Sequence, residues 1–384
     1  MTTEPDLDHD QPADGRTRVV LVFGGISSEH SISCLTAASV ASAIDTGRYD
    51  VTGLGITPSG RWTRYSLDEI RAFTVVDGVL PVLGEDRHEA LLLRTVDGVV
   101  IADVDADGTR LTDRRPVEVA MPLLHGPFGE DGTVQGSFEM LGLRYTGAGV
   151  TASAVGMDKQ MMKLILAGSG LPIGAFTTIL PGQWADDPAA CRDAVAALGL
   201  PVYVKPARGG SSVGISRVDS LDALGAAVRE AERWDPKVIV ERGFVGAREM
   251  ECGVLGDLDG SGPRASRVGE VRMHTASGFY DFDAKYLPEE QVTLDVPASV
   301  GPDLEERIRD AARRTFAAVS AEGLGRVDVF VTADGEVVVN EINTMPGFTR
   351  FSMFPMLWQA SGMTYPELID DLIRQALRRP VGLR

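Results

Sequence analysis

A chain of 384 residues is too long for one compact core and calls for two or three domains. With 44% hydrophobic and 24% charged residues it has the composition of a soluble globular protein, and a net charge of −18 argues against nucleic acid or an anionic membrane as partner, leaving room for a local basic pocket. Cys34, Cys191 and Cys252 form neither a CxxC pair nor a disulfide framework, no apolar run approaches the ~18 residues of a membrane span, and the N-terminus lacks the apolar stretch of a signal peptide. A cytoplasmic protein with reduced thiols is expected.

Residues 1–16 are polar and acidic and read as a disordered extension. Arg18–Phe23 is then a buried strand, followed by Gly24-Gly25 and a helix beginning near Ser27 or Ser28, with Ile32, Leu35, Ser39, Val40 and Ala43 at helical spacing. Such a unit opens many α/β sheets, and their ligands bind at the strand's C-terminal end. Glu29 sits there. It either holds a substrate ammonium or complements the helix dipole, and the residues alone leave both open. Asp50–Ile56 is a second strand. Residues 66–115 carry little motif content and read as a variable surface region. Val117–Leu124 is a third strand, delivering His125 into HGPFGEDGTVQG, where a histidine before a Gly-rich acidic loop reads as a site residue. The first domain is expected to end near Gly149.

A helix over Thr151–Ala167 carries Lys159 and Lys163. Leu200–Pro206 is a strand with Lys205 inside it, a poor place for an ammonium without a partner. ARGGSSVG (207–214) follows, offering free backbone N–H groups to phosphate oxygens without the GKS or GKT of a Walker loop; Ile215–Val218 returns as a strand. Lys237–Glu241 is a strand ending in an acid, the link Arg242–Arg248 exposes backbone, and Glu249–Leu255 is the next strand. This is a seat for adenine, with Glu241 and backbone groups at the base edge and Glu249 at the ribose. Between the strands Arg267–His274 and Val292–Val296, the aromatic and charged segment FYDFDAKY (279–286) reads as a closing lid.

Leu304–Val319 is an amphipathic helix leading into a β-hairpin, Leu324–Val331 and Glu336–Ile342, turned by Asp334-Gly335. Glu341 and Asn343 are two residues apart and share a face, and Asp328 lies on the facing strand. Two carboxylates and an amide make an oxygen-only site suited to Mg²⁺ completed by substrate phosphates; the alternative is an edge hairpin with solvated acids. Met345-Pro346-Gly347, an exposed Ser352 and a last helix, Tyr365–Leu377, finish the chain. A metal site, lysines on strands and a phosphate loop together imply ATP-dependent phosphoryl transfer between two α+β lobes. The HRD and DFG signatures of protein kinases are missing.

From Arg18 onward, the strings VFGGISSEHSIS, HGPFGEDGTVQG, TGAGVTASAVGMDK, VKPARGGSSVG, YDFDAKY, GRVDVF and NEINTMPGFT resemble those of D-alanine–D-alanine ligases. The resemblance implies an α/β chain of the ATP-grasp fold with an N-terminal Rossmann-like preATP-grasp domain. Its units would be 17–150, a central lobe 151–244 with the Gly/Ser lid, and a lobe 245–384 with the metal site and an omega-type loop. It implies ATP and two Mg²⁺ ions, with Mn²⁺ as a substitute, and two molecules of D-alanine joined through an acyl phosphate for peptidoglycan. Glu29 and His125 would hold the first D-alanine. Lys159, Lys205, Ser211 and Ser212 would bind phosphates, and Lys285 would reach the γ-phosphate. Glu241, Phe244, Glu249, Phe279 and Asn340 would surround the rest of the nucleotide. Asp328, Glu341 and Asn343 would bind the metal ions, Arg326 and the Gly347 N–H would form an oxyanion hole, and Ser352 with the Met353 backbone would take the second carboxylate. Tyr286 would close the lid through Ser211 and Glu29. A homodimer is the expected assembly. The rivals are a D-alanine–D-lactate ligase or another carboxylate–amine ligase, and a regulatory protein that keeps the fold without turnover.

Overall fold

The computed structural model describes residues 15–210, 213–274 and 292–381. Thr17–Gly24 is the centre of a five-stranded sheet, paired in parallel with Tyr49–Ile56 on one side and Val119–Pro122 on the other. Trp62–Tyr65 and Arg144–Tyr145 are its edges. The apolar run of the central strand is explained by burial on both faces, the usual state of a parallel strand. The following helix, His30–Ala43, starts two residues later than its spacing alone suggests, because Glu29 occupies the N-cap. Its buried Cys34, Ala37, Val40 and Ala41 face the sheet.

One expectation is filled in here and one is corrected. Residues 66–115, expected as a variable surface region, carry regular elements. They form a short helix, Leu67–Arg71, closed by a Ser66/Glu69 capping box, and a three-stranded antiparallel meander, Ala90–Thr95, Gly98–Val104 and Leu111–Val117. The continuous strand expected over Val117–Leu124 is two strands in different sheets. Glu118 marks the change, its Oε2 accepting from the Arg18 N–H at 2.8 Å.

The single helix expected over Thr151–Ala167 is also two, Val150–Met157 and Lys159–Gly168. Asp158 between them is extended (φ −90°, ψ 99°), and its side chain accepts from the Met161 N–H at the start of the second helix. Tertiary bonds outweigh helix propensity at this point: Asp158 pairs with Lys237, and the Lys159 N–H bonds the Ala207 carbonyl at 2.9 Å. The second helix presents Lys159, Met162, Lys163 and Leu166 as one stripe, with Met162 and Leu166 fully buried.

Beyond these helices lie two antiparallel sheets. The smaller runs Ser216–Val218, Val202–Pro206, Val238–Arg242, Phe176–Ile179, and it packs on Pro188–Ala196 and Leu224–Glu232. The larger runs Val292–Asp295, Arg264–Met273, Arg248–Leu255, Leu324–Val331, Val337–Asn343, and it covers the helix Pro302–Ala318 with one face. Its other face carries the helix Met353–Ala360, with Gly253 against Phe354 and Trp358 and Gly269 against Met353 and Leu357, while the last helix, Tyr365–Arg378, packs against the first sheet, so Phe348, Phe354, Leu368 and Leu372 share a core with Leu21 and Phe23. That shared core brings both ends of the chain to one cleft.

Gly323 and Gly147 form a tight joint between the first sheet and the larger antiparallel sheet. Gly323 has φ +67°, and a Cβ there would lie 2.6 Å from the Gly147 Cα and carbonyl oxygen. Arg379 clasps the same joint, donating to the Gly147 carbonyl at 2.9 and 3.0 Å and pairing with Glu322. We predict that Gly323→Ala destabilises the protein by about 2–4 kcal/mol, from a left-handed alanine and backbone overlap together. A thermal midpoint within 1 °C or so of wild type would show that the joint tolerates a side chain.

Candidate active site

The hairpin's register decides which way its polar residues point. Asp328 lies opposite Glu341 and Arg326 opposite Asn343, but Val329 lies opposite Val339, which leaves Asn340 as an extra residue in a β-bulge. Before the bulge, Val337 and Val339 join Val327, Val329 and Val331 in the core against Phe316. After it, Ile342 takes the core side while Glu341 and Asn343 turn to the cleft with Arg326 and Asp328. Without the bulge, strict alternation would put Glu341 on the side of Val337 and Val339 and bury its carboxylate in an apolar core, at a cost of several kcal/mol.

On this cleft face the Arg326 guanidinium makes a two-pronged bond to Asp328, 2.7 Å on each oxygen, and pairs with Glu251 at 2.9 Å. Burial disfavours that charge, but Asp328 and Glu251 outweigh it and hold the guanidinium well above its ordinary value. Asn343 Nδ2 donates to Asp328 Oδ2 at 2.9 Å, and the Lys159 ammonium stands 3.8 Å from Glu341. Among the described residues no group of three His, Cys, Asp or Glu side chains makes a metal cluster. The set present is two carboxylates and an amide. It fits a hard cation by its oxygen-only chemistry, once Asn343 turns its amide over to present oxygen.

Across the cleft from this face, Glu241 is buried between two lysines. Lys163 approaches Oε1 at 3.0 Å and Lys205 approaches Oε2 at 2.5 Å. Burial alone would raise the Glu241 carboxyl; the two ammoniums outweigh it and bring it down to about 2. Lys205 is raised by the same pair, Glu241 prevailing over burial. The partner that a strand lysine requires is therefore an acid on the adjacent strand, where Lys205 lies opposite Ile239 and Tyr203 opposite Glu241. Lys163 also reaches the Asn340 carbonyl at 3.4 Å. The Gly/Ser loop is anchored at its base, with Arg208 paired to Asp235 by bonds of 2.9 and 2.7 Å and Lys159 Nζ donating to the Gly209 carbonyl at 2.9 Å. Phe244 stacks on Phe330, ring centres 5.1 Å apart, and Glu249 lies along the same wall.

The first domain supplies the opposite wall. The Glu29 carboxylate is enclosed by two glycines: a Cβ on Gly126 would lie 2.7 Å from Oε2, and one on Gly210 would lie 3.2 Å away. His125 is buried, its Nδ1 donating to the Met345 carbonyl at 3.3 Å and its Nε2 accepting from Thr36 Oγ1 at 3.1 Å. A carbonyl only accepts, which fixes this tautomer. Burial pushes the imidazole below its ordinary value, Glu29 opposing in part, so the ring is neutral. Ser352 is half-buried rather than exposed as expected, because its Oγ pairs with Thr349 Oγ1 at 2.9 Å beside Gly347. It occupies the N-cap position of the helix that begins with Met353, its side chain making no capping bond there. Glu29, His125, Ser352, the three lysines, Glu241 and the polar residues of the hairpin line one cleft of about 1250 Å³, larger than a pocket for a single small ligand. Ser211, Ser212, Phe279, Lys285 and Tyr286 lie outside the described residues.

Three residues without a role in the sequence reading stand in the site: Lys163, Glu251 and Glu130. Lys163 was legible as four residues from Lys159, and Glu251 as two from Glu249. Glu130 lies within HGPFGEDG, and its Oε1 accepts from the Gly126 N–H at 2.7 Å. Burial, reinforced by the Glu29 charge, pushes its carboxyl up to about 8. A carboxyl raised in the fold favours folding below its ordinary value of 4.5, and that contribution is lost as pH rises through 8. Glu130→Gln, which mimics the protonated form, should therefore flatten the fall in thermal midpoint of the ligand-free protein across this interval. An unchanged pH slope would contradict the assignment.

Residues 18–148 match the D-ala D-ala ligase N-terminus model and residues 165–374 the D-ala D-ala ligase C-terminus model. A D-alanine–D-alanine ligase of Kineococcus radiotolerans is 52% identical over 96% of this chain and 99% of its own, and one of Mycobacterium bovis is 48% identical over 96% and 98%. Among solved structures, the VanG D-Ala:D-Ser ligase of Enterococcus faecalis superposes with a TM-score of 0.79 at 30% identity, covering 94% of this chain and 99% of that one. The D-alanine–D-alanine ligase of Coxiella burnetii gives 0.76 at 29% identity, covering 95% and 94%. The fold is thus the ATP-grasp fold, in a family that uses ATP and Mg²⁺. The chain belongs to the D-alanine–D-alanine ligase family.

Proposed function

We propose that this cleft performs the family's reaction, the ATP-dependent joining of two D-alanine molecules into the D-alanyl-D-alanine of peptidoglycan precursors. The observation that supports the site assignment is the bulged register, which brings Glu341 and Asn343 to the cleft face beside Arg326 and Asp328, toward the lysines of the opposite lobe. In our reading the chain divides into units 17–150, 151–244 and 245–384, with the nucleotide between the last two. Lys159 and Lys205 bind phosphate oxygens, and Phe244, Glu241 and Glu249 receive the adenosine, with Asn340 beside them. Asp328, Glu341 and Asn343 hold two Mg²⁺ ions, or Mn²⁺ in their place. Bound there, the metal neutralises charge on the phosphate oxygens.

Glu29 orients the ammonium of the first D-alanine, and His125, neutral and pinned at both nitrogens, shapes the wall beside it. A carboxylate oxygen of this D-alanine attacks the γ-phosphorus as the bond to the β,γ-bridging oxygen breaks, giving an acyl phosphate and ADP. Ser352 and the Met353 N–H take the carboxylate of the second D-alanine at a helix N-terminus. Its amine, having lost a proton, adds to the acyl carbon. Arg326 and the Gly347 N–H stabilise the oxyanion, which collapses to expel inorganic phosphate. Ser211, Ser212, Phe279, Lys285 and Tyr286 keep the roles that the resemblance implies. A cytoplasmic homodimer is the expected form; among the described residues no helix is long and apolar enough to cross a membrane.

Release of ADP with D-alanine as the sole amino acid tests the activity, and two near-isosteric variants test the site. Asp328→Asn and Glu341→Gln should each lower turnover by about 100-fold or more while folding normally, since loss of a carboxylate here removes several kcal/mol of charge stabilisation. Either variant within about tenfold of wild type would remove that residue from the metal site.

A further inference from the structure

Lys163 has no part in the reaction as described, yet it is 2% exposed and ionically paired. A buried ion pair is weak evidence of stability, because an apolar side chain of similar volume would pack there without the desolvation cost. Its stripe neighbours Met162 and Leu166 show that the surroundings accept apolar groups. What the ammonium does is join three elements. It extends from the helix Lys159–Gly168, meets Glu241 Oε1 at 3.0 Å on the strand Val238–Arg242, and meets the Asn340 carbonyl at 3.4 Å in the bulge before Glu341.

We propose that Lys163 is a positioning residue for base selection: it orients the Glu241 carboxylate toward the purine and ties that carboxylate to the bulge carrying Glu341. This rests on the reading of Glu241 as the group at the base edge. An ionised carboxylate only accepts hydrogen bonds, so it favours a purine with a 6-amino donor and opposes a 6-oxo acceptor. Lys205 grips one oxygen of Glu241 and Lys163 the other, and with both held the carboxylate plane cannot turn away. Removal of Lys163 leaves Glu241 anchored on one side and the Asn340 carbonyl without this donor. The expected consequence is loss of discrimination among purines, with D-alanine binding on the far side of the cleft little changed.

The test is the ratio of kcat/KM for ATP over ITP, measured for wild type, Lys163→Met, Glu241→Gln and the double variant, with the KM of D-alanine and the thermal midpoint recorded for each. Lys163→Met should lower the ATP:ITP ratio by about tenfold or more while the KM for D-alanine stays within about twofold. The double variant should lose little more than Glu241→Gln alone, as expected when two residues act through one contact. A lysine that is only structural would lower the thermal midpoint and leave the ratio intact. If Glu241→Gln collapses the ratio and Lys163→Met does not, the role of Lys163 is refuted while the base-edge reading stands. If Glu241→Gln leaves the ratio unchanged, that reading fails and the role of Lys163 fails with it. Should Lys163→Met not fold, Lys163→Gln, which keeps a donor without the charge, carries the same comparison.

Discussion

One extra residue at Asn340 sets the direction of the catalytic face. A strand alternates strictly, so a strand that must give valines to a core and carboxylates to a cleft on opposite sides needs a break in that alternation. Val337 and Val339 lie on the core side, Asn340 is left unopposed, and Glu341 and Asn343 then face the cleft. The core anchors this arrangement from beneath, because Val327, Val329 and Val331 pack against the same helix as Val337 and Val339. Loss of the bulge would put Glu341 on the side of Val337 and Val339 and bury its carboxylate. The geometry of the proposed metal face is thus enforced by hydrophobic packing on the reverse side of the sheet.

The cleft concentrates cations in a chain whose net charge is −18. Glu341 stands by Lys159, Glu241 takes both Lys163 and Lys205, and Asp328 takes Arg326. Such pairs pre-organise the site. The lysines are already held in place, so an entering anion meets fixed donors, each ammonium having three, instead of ordering free side chains. The long Lys159–Glu341 separation marks the looser pair of this set, and it is the one that joins the phosphate loop to the proposed metal ligands.

Much of this was legible from residue spacing. The hairpin, its Asp-Gly turn and the common face of Glu341 and Asn343 followed from strand periodicity, and the requirement of Lys205 for a partner followed from its place in an apolar strand. The bulge was not legible, because nothing in VVVNEIN distinguishes a residue left unopposed from one in register. The break at Asp158 was missed for a related reason: TASAVGMDKQMMKLILA is helical by propensity, and the bonds that stop the helix come from Lys237 and Ala207, which are distant in sequence. The meander within residues 66–115 carries no chemical motif, and its strands are set by their pairing with one another. Glu130 and Lys163 show the remaining limit. Their significance lies in burial and in neighbours from other strands, which only the folded chain supplies.

The central claim is that a D-alanine carboxylate is phosphorylated in this cleft before the peptide bond forms. Transfer of oxygen-18 tests it most directly, with D-alanine labelled in its carboxylate oxygens as the only amino acid and unlabelled ATP. The account predicts one labelled oxygen in inorganic phosphate for each dipeptide formed. Dipeptide accompanied by unlabelled phosphate would contradict it.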